Sequence, residues 1–123
     1  MSYLFTDKSY TSFSQTMSLE ERIIESEKVM KKYPERVPII VEPLTTDIVE
    51  IPKKKFIVSK DMTFGQLIYI IRQKIKISSD EAYFYTINGS LCPSGLDMGT
   101  IYDENKREDK FLYVTYTSEN TFG

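Results

Sequence analysis

The sequence contains no histidine and one cysteine among its 123 residues. Histidine is the most usual general base and the commonest transition-metal ligand, so most acid–base and metal chemistry lacks its usual residue here. Cys92 precedes Pro93 in a turn-rich stretch with no histidine to activate it, which indicates a spectator thiol. A single cysteine also excludes an internal disulfide. We predict that the chain is not an enzyme and needs no metal or cofactor.

A surplus of charge of one sign is also missing. Sixteen Lys and Arg residues stand against eighteen Asp and Glu residues, for a net charge of −2. Phosphate binding requires a basic surplus, so nucleic acid is not a predicted partner. The sequence has no glycine-rich phosphate loop, no signal-peptide pattern and no apolar run long enough to cross a membrane. We expect a single cytoplasmic domain, since this length suffices to bury a core.

The first third of the chain predicts an extension, a helix and a strand. Residues 1–17 mix Ser, Thr and aromatic residues without a clear period, which indicates a flexible or loosely docked N-terminal extension in which a short helix is possible. Ser18 and Glu21 form a capping box that opens a helix through about Lys32, and Pro34 ends it. Its apolar stripe is predicted to contain Leu19, Ile23, Ile24, Val29 and Met30. A strand is predicted over 37–41.

A second helix carries two apolar stripes. A strand predicted over 55–59 leads to Thr63 and Gln66, a capping box that opens a helix over about 64–76. One stripe faces the core and consists of Phe64, Ile68, Ile71 and Ile75. Beside it lies a second stripe of Leu67, Ile70 and the stem of Lys74. That stripe is either buried by the edge of the sheet or partly exposed and used for binding.

The order of the remaining elements indicates the fold. A strand predicted over 82–87 ends at the turn signal Asn88-Gly89, and a short helix over 96–102 precedes a strand over 111–116. Apart from the leading helix, the order is strand, strand, helix, strand, short helix, strand. This order is typical of an α+β fold of the β-grasp type, in which one long helix crosses a mixed sheet. The two terminal strands should lie side by side at its centre.

A polar segment over 117–123 follows the last strand and ends on Gly123. We predict that it is a flexible tail. Glycine has no Cβ, so its carboxyl carbon is unhindered and its backbone can enter a narrow cleft. Such an ending suits a chain whose own carboxylate is the reacting group. The alternative is that the chain happens to stop there, because termini are commonly frayed.

Three segments carry a resemblance to a known family. They are Tyr33-Pro-Glu-Arg-Val-Pro-Ile-Ile-Val-Glu42, Thr63-Phe-Gly-Gln-Leu-Ile-Tyr-Ile-Ile-Arg72 and Phe111-Leu-Tyr-Val-Thr-Tyr-Thr-Ser-Glu-Asn-Thr-Phe-Gly123. In this order they closely resemble the autophagy ubiquitin-like modifiers, which include the GABA-receptor-associated protein and the microtubule-associated light-chain relatives. The likeness extends from about Ser18 to Gly123. It implies a ubiquitin-like β-grasp with additional N-terminal helices.

The resemblance implies conjugation to a lipid. Gly123 would be joined to phosphatidylethanolamine on growing autophagosomal membranes, and Phe122 would be recognised by the conjugation enzymes. A cysteine protease normally exposes this glycine, a ubiquitin-type activating enzyme adenylates it, and a conjugating enzyme passes it to the lipid amine. All catalytic groups would then belong to partners. The alternative is an unconjugated adaptor of the same fold that works only through a peptide groove, in vesicle trafficking or cytoskeletal attachment.

The resemblance also implies capture of autophagy receptors that carry an aromatic-x-x-aliphatic motif. Such a motif pairs with an exposed edge strand and inserts its two anchors into two pockets. The aromatic pocket would be lined by Glu25, Val29, Pro38, Ile40, Lys55, Ile57 and Phe111. The aliphatic pocket would be lined by Phe56, Val58, Met62, Leu67 and Ile70. This use favours partial exposure of the second helical stripe.

A basic rim would attract the acidic residues that flank such motifs. It would consist of Arg36, Lys53, Lys54, Arg72 and Lys74. The run Lys53-Lys54-Lys55 also has a structural explanation, because lysines protect an exposed edge strand from aggregation, and the two roles are compatible. Lys74 stands where the family often has arginine, which leaves a point charge without a planar bidentate contact. Lys110 stands where glycine often precedes the final strand.

Overall fold

The computed structural model describes residues 12–44, 54–74 and 83–118 of the chain. These ranges contain four helices and five strands. The helices are α1 (Phe13–Thr16), α2 (Leu19–Lys32), α3 (Phe64–Lys74) and α4 (Met98–Asn105). The strands are β1 (Arg36–Pro43), β2 (Lys55–Ser59), β3 (Tyr83–Ile87), β4 (Ser90–Leu91) and β5 (Leu112–Ser118).

The five strands form one mixed sheet in the order β2-β1-β5-β3-β4. At its centre β1 and β5 run parallel, with Val41 opposite Val114. β2 pairs with β1 in the antiparallel sense and places Ile57 opposite Pro38. The predicted α+β β-grasp, with the two terminal strands adjacent, is confirmed.

Both predicted capping boxes are present. The Ser18 Oγ accepts from the Glu21 N–H at 3.1 Å, and the Glu21 carboxylate accepts from the Ser18 N–H at 3.0 Å. The bond from the Ser18 backbone is the main cause that lowers the pKa of Glu21. Thr63 and Gln66 exchange the same two bonds at 2.9 and 3.2 Å. Each box satisfies backbone N–H groups that the first turn of a helix leaves without partners.

The main core lies between the sheet and α3. Phe64, Leu67 and Ile71 of α3 are at most 1% exposed and pack against core side chains of the sheet. The prediction that the second stripe is partly exposed is therefore wrong for Leu67, which is 0% exposed, while Ile70 is half-buried. Ile24, predicted on the apolar stripe of α2, is 60% exposed. An amphipathic period identifies neighbouring positions on a helix, but the elements that pack there decide which are covered.

Several element boundaries differ from the predictions. β5 continues to Ser118, because Thr117 and Ser118 still pair with Phe84 and Tyr83 of β3. The short helix that the sequence left possible is α1, within 12–17. Residues 1–11 of the predicted extension over 1–17 lie outside the described residues. So do residues 119–123 of the tail predicted over 117–123 and the end predicted for the second helix at 75–76. In the described segments no helix is long and apolar enough to cross a membrane.

Candidate functional site

Strand β2 forms one edge of the sheet and uses one side to pair with β1. The Val41 N–H donates to the Lys54 carbonyl oxygen at 2.8 Å. Hydrogen-bonded positions alternate along an antiparallel pair, so Lys55 and Ile57 direct their backbone groups away from β1. Among residues 12–44, 54–74 and 83–118, no strand pairs with this outer side. The edge can therefore accept one more strand.

The side chains of β2 alternate between the two faces of the sheet. Phe56 and Val58 belong to the main core together with residues of α3. On the opposite face Lys55 forms an ion pair with Glu25 of α2. Ile57 lines a cavity there with residues of α2. The residue sets predicted for the two pockets thus lie on opposite faces of the same edge strand.

The α2 face of the edge carries two cavities. One of about 650 Å³ lies between α2 and β2 and is lined by the predicted residues Glu25, Val29 and Ile57. The other, of about 580 Å³, lies over the start of β2. Its lining consists of Phe13, Tyr33, Arg36, Lys54, Lys55 and Ile57. Both cavities are lined by Tyr33 and Ile57, so they adjoin each other on the α2 side of β2, and we refer to the two together as the groove.

Three predicted residues of the aromatic pocket form a covered floor. Ile40 and Phe111 are 0% exposed, and Pro38 is buried as well. The ring of Phe13 packs on this floor, with its centroid 5.1 Å from that of Phe111 and the ring planes at 73°. This edge-to-face geometry is favourable for aromatic pairs.

The two described lysines at the start of β2 face internal carboxylates. Lys55 forms its ion pair with Glu25, and partial burial lowers the pKa of its ammonium. The Lys54 Nζ lies 3.8 Å from the Glu42 Oε2. An acidic ligand that approaches this end of the groove has to compete with Glu25 and Glu42.

On the α3 face, only two residues of the predicted aliphatic pocket are accessible, Met62 and Ile70. Met62 and Ile70 are half-buried and line a cavity of about 610 Å³ beside the exposed Tyr69. Phe56, Val58 and Leu67 are buried beneath them in the core. An aliphatic anchor would first contact Met62 and Ile70.

The structure brings only part of the predicted basic rim to the edge. The exposed Arg36 lies over the ring of Tyr33, 5.2 Å from its centroid. Arg72 lies near Tyr85 of β3, which is three strands away from the edge strand β2. Burial raises the pKa of Tyr85, and Arg72 opposes this rise. Lys74 is exposed in the last turn of α3. Lys53 lies outside the described residues.

Sequence reasoning did not assign several lining residues to the groove, among them Tyr33, Ile24 and Phe13. Tyr33 follows α2, Ile24 was predicted on the apolar stripe of that helix, and Phe13 falls in the predicted extension. The signal for Phe13 was the pair Ser12 and Gln15, whose spacing is that of a capping box. The Gln15 Oε1 accepts from the Ser12 N–H at 3.3 Å and helps to form α1.

Two further predicted site residues, Phe122 and Gly123, lie outside the described residues. In the described part of the chain, no group of three or more Cys, Asp and Glu side chains could hold a metal ion.

Sequence and structure comparisons with known proteins all point to one family. The sequence model of a family described as autophagy protein Atg8, ubiquitin-like, matches residues 21–123. Autophagy-related protein 8c of Arabidopsis thaliana is 47% identical over 114 residues, which cover 92% of this chain and 96% of that protein. Autophagy-related protein 8 of Schizosaccharomyces pombe is 46% identical over 114 residues, with coverages of 92% and 94%. The crystal structure of Trypanosoma brucei ATG8 superposes with a TM-score of 0.81 at 33% identity, covering 89% of this chain and 96% of that one.

Proposed function

This chain belongs to the Atg8 family of ubiquitin-like autophagy proteins, and on that basis we propose that it is a non-enzymatic modifier joined through Gly123 to phosphatidylethanolamine. Its groove would recruit autophagy receptors through an aromatic-x-x-aliphatic motif. The activating enzyme, the conjugating enzyme and the processing cysteine protease would supply the catalytic groups. The chain would be cytoplasmic, and on the autophagosomal membrane once conjugated.

One observation supports the groove assignment: the side chains of β2 that belong to the two predicted residue sets lie on opposite faces of the sheet, and the outer side of β2 pairs with no strand among the described residues. Successive residues of an extended strand point to opposite faces, so residues three apart also do. A motif strand paired with the outer side of β2 therefore directs its first anchor toward α2 and its second toward α3. This geometry accounts for the three-residue spacing of the two anchors, because Ile57 and Ile70 lie on different faces of the sheet.

Charge at the start of β2 supports recognition of an acidic flank. Lys54 and Lys55 are cations at this end of the groove, and a ligand carboxylate would compete for them with Glu25 and Glu42. Such exchange contributes selectivity and association rate more than affinity. The anchors would supply most of the binding energy.

The carboxyl end supports conjugation on physical grounds. The family match includes residue 123, and a glycine at the conjugated position would present an unhindered carboxylate. Five residues follow the end of β5, and an extended segment of that length spans at most about 17 Å. Two acyl chains anchor a protein stably in a bilayer. Conjugation would hold the domain close to the membrane surface.

Reconstitution tests the conjugation. The purified chain, matching activating and conjugating enzymes, ATP and phosphatidylethanolamine liposomes are combined, and intact mass is measured. A gain of one lipid is expected, with no gain for a chain that lacks Gly123. If enzymes that act on a known substrate leave the full chain unmodified, the conjugation proposal fails and the unconjugated adaptor replaces it.

Calorimetric titration with a motif peptide tests the groove. Ile57→Ala should weaken binding about 5- to 30-fold, as expected for loss of a buried aliphatic contact. Leu91→Ala is the matched control, because Leu91 is 70% exposed on β4 at the opposite edge. Leu67 is unsuitable for this purpose, since truncating a fully buried leucine destabilises the whole domain. Equal affinity for Ile57→Ala and the unaltered chain would refute the groove.

A further inference from the structure

We infer that Phe13 forms an end wall of the aromatic pocket and gives that pocket a preference for an aromatic over an aliphatic anchor. The inference rests on the proposed groove and adds a residue from the N-terminal extension to it. Phe13 precedes the segment that the family model matches, which begins at residue 21.

The position of Phe13 follows from three residues on one face of β1. Pro38, Ile40 and Glu42 alternate along the strand, so they lie in a row on that face. The Phe13 N–H donates to the Glu42 Oε2 at 2.5 Å, and its ring packs on the cluster that contains Ile40. The Phe13 backbone is thus held at Glu42, and its ring lies over Ile40 and Phe111.

The Phe13 ring borders the cavity over the start of β2. Pro38 pairs with Ile57 and Ile40 pairs with Lys55 across the two strands. Phe13 shares its cavity with Lys55 and Ile57 and remains half-buried. Positions two residues apart on a strand are separated by about 6.6 Å. An aromatic anchor seated over Ile57 and Pro38 would lie within the 4.5–7 Å range of aromatic pairs from the Phe13 ring.

The ring is held in place from several sides. The ring makes an edge-to-face contact with Phe111. The Lys55 Nζ lies over the same ring, 5.9 Å from its centroid. Within α1 the Thr16 hydroxyl donates to the Phe13 carbonyl oxygen at 2.8 Å. A preorganised wall loses little conformational entropy when a ligand binds.

The Phe13 ring could either line the pocket as a wall or fill it as a plug, and these two arrangements predict opposite effects of its removal on peptide affinity. If the ring occupied the site of the anchor, its removal would raise affinity. The open cavity beside the ring favours the wall, so removal should lower affinity. Aromatic pairs typically contribute about 2- to 12-fold in affinity beyond the area that they bury.

The test is a double comparison by calorimetric titration with the full chain. Peptide one carries an aromatic-x-x-aliphatic motif, and peptide two has leucine at the aromatic position. Phe13→Leu keeps apolar bulk on Phe111, and Ser14→Ala is the control within α1. Phe13→Leu should weaken peptide one about 2- to 12-fold and leave peptide two nearly unchanged, while Ser14→Ala should change neither.

Three outcomes would overturn the inference. Tighter binding of peptide one to Phe13→Leu would identify a plug. Equal losses for both peptides would show a purely structural role, and no loss for either would show that the ring does not contact the anchor. Ile57→Ala is titrated in parallel: if it binds peptide one normally, the groove itself is wrong, whereas a loss there without a loss at Phe13 refutes only this inference.

Discussion

The guanidinium of Arg22 lies 2.7 Å from the carboxylate of Asp109, which joins α2 to the turn before β5. The Asp109 side chain is 0% exposed, whereas that of Arg22 is 16% exposed. The same carboxylate accepts from the Tyr113 hydroxyl at 2.5 Å and from the Phe111 N–H at 2.9 Å. Burial, followed by the bond to Asp109, raises the pKa of Tyr113. This network holds α2, and with it one wall of the groove, against the sheet.

Replacing Arg22 should therefore destabilise the domain strongly. Arg22→Met keeps the length of the side chain but leaves the Asp109 carboxylate buried without its cation, which typically costs about 3–5 kcal/mol. The free energy of unfolding is measured by urea denaturation at neutral pH. Lys28→Met, at an exposed position of the same helix, should change it by less than about 0.5 kcal/mol. Similar values for the two variants would show that Asp109 does not depend on Arg22.

Lys110 adopts a left-handed backbone conformation with φ of 67°. A side chain with a Cβ is strained there, by about 1–2 kcal/mol relative to ordinary conformations. Its Nζ pairs with Glu27 at 2.5 Å, but the two side chains are 43% and 51% exposed, and exposed pairs contribute little. Lys110→Gly and Lys110→Ala both remove the pair, so they differ mainly in this strain. We expect the glycine variant to be more stable by about 1 kcal/mol in urea denaturation; a more stable alanine variant would exclude backbone strain at this position.

Gly89 and Gly95 provide a matched pair of glycines. A Cβ would meet nothing within 4 Å at either position, yet only Gly89 has a positive φ, of 83°. Gly89→Ala should therefore lower the free energy of unfolding by about 1–2 kcal/mol. Gly95→Ala should leave it equal or slightly higher, because alanine restricts the unfolded chain. Thermal unfolding of both variants checks this difference, and equal losses would contradict it.

The raised pKa of the Tyr102 hydroxyl predicts that the domain loses stability in alkali. Its hydroxyl donates to the Lys110 carbonyl oxygen at 2.6 Å, and burial raises its pKa to about 12. The folded state thus holds this proton more tightly than the unfolded state, whose tyrosine pKa is about 10. The corresponding stability is complete below pH 10 and is lost as the pH rises toward 12. Denaturation of Tyr102→Phe should show a smaller fall between these limits.

At neutral pH, Tyr102→Phe should lower the free energy of unfolding. Tyr102→Phe leaves the Lys110 carbonyl without this donor, which should cost about 1 kcal/mol at pH 7. Its stability curve should therefore start below that of the unaltered chain and approach it in alkali. Tyr69→Phe removes a hydroxyl from a side chain that is 66% exposed and should leave the curve unchanged. Parallel curves for Tyr102→Phe and the unaltered chain would contradict the expected linkage.

Local sequence determined the features that involve only neighbouring residues. The capping boxes at Ser18 and Thr63 depend on side chains three positions apart, and both are present. The turn at Asn88-Gly89 has the positive φ values that this dipeptide favours. The order of the elements was enough to predict adjacent terminal strands, because a β-grasp connects its elements in that order.

Tertiary packing decided which of these residues line the candidate site. Leu67 and Ile70 belong to the same stripe of α3, yet only Leu67 is sealed, because the sheet packs against it. Ile24 lies on the apolar side of α2 by period and is exposed beside the groove. Phe13 joins the site through Glu42 and Phe111, which are distant from it along the chain. Helical period and capping act over three or four residues, whereas burial depends on contacts that only the folded chain brings together.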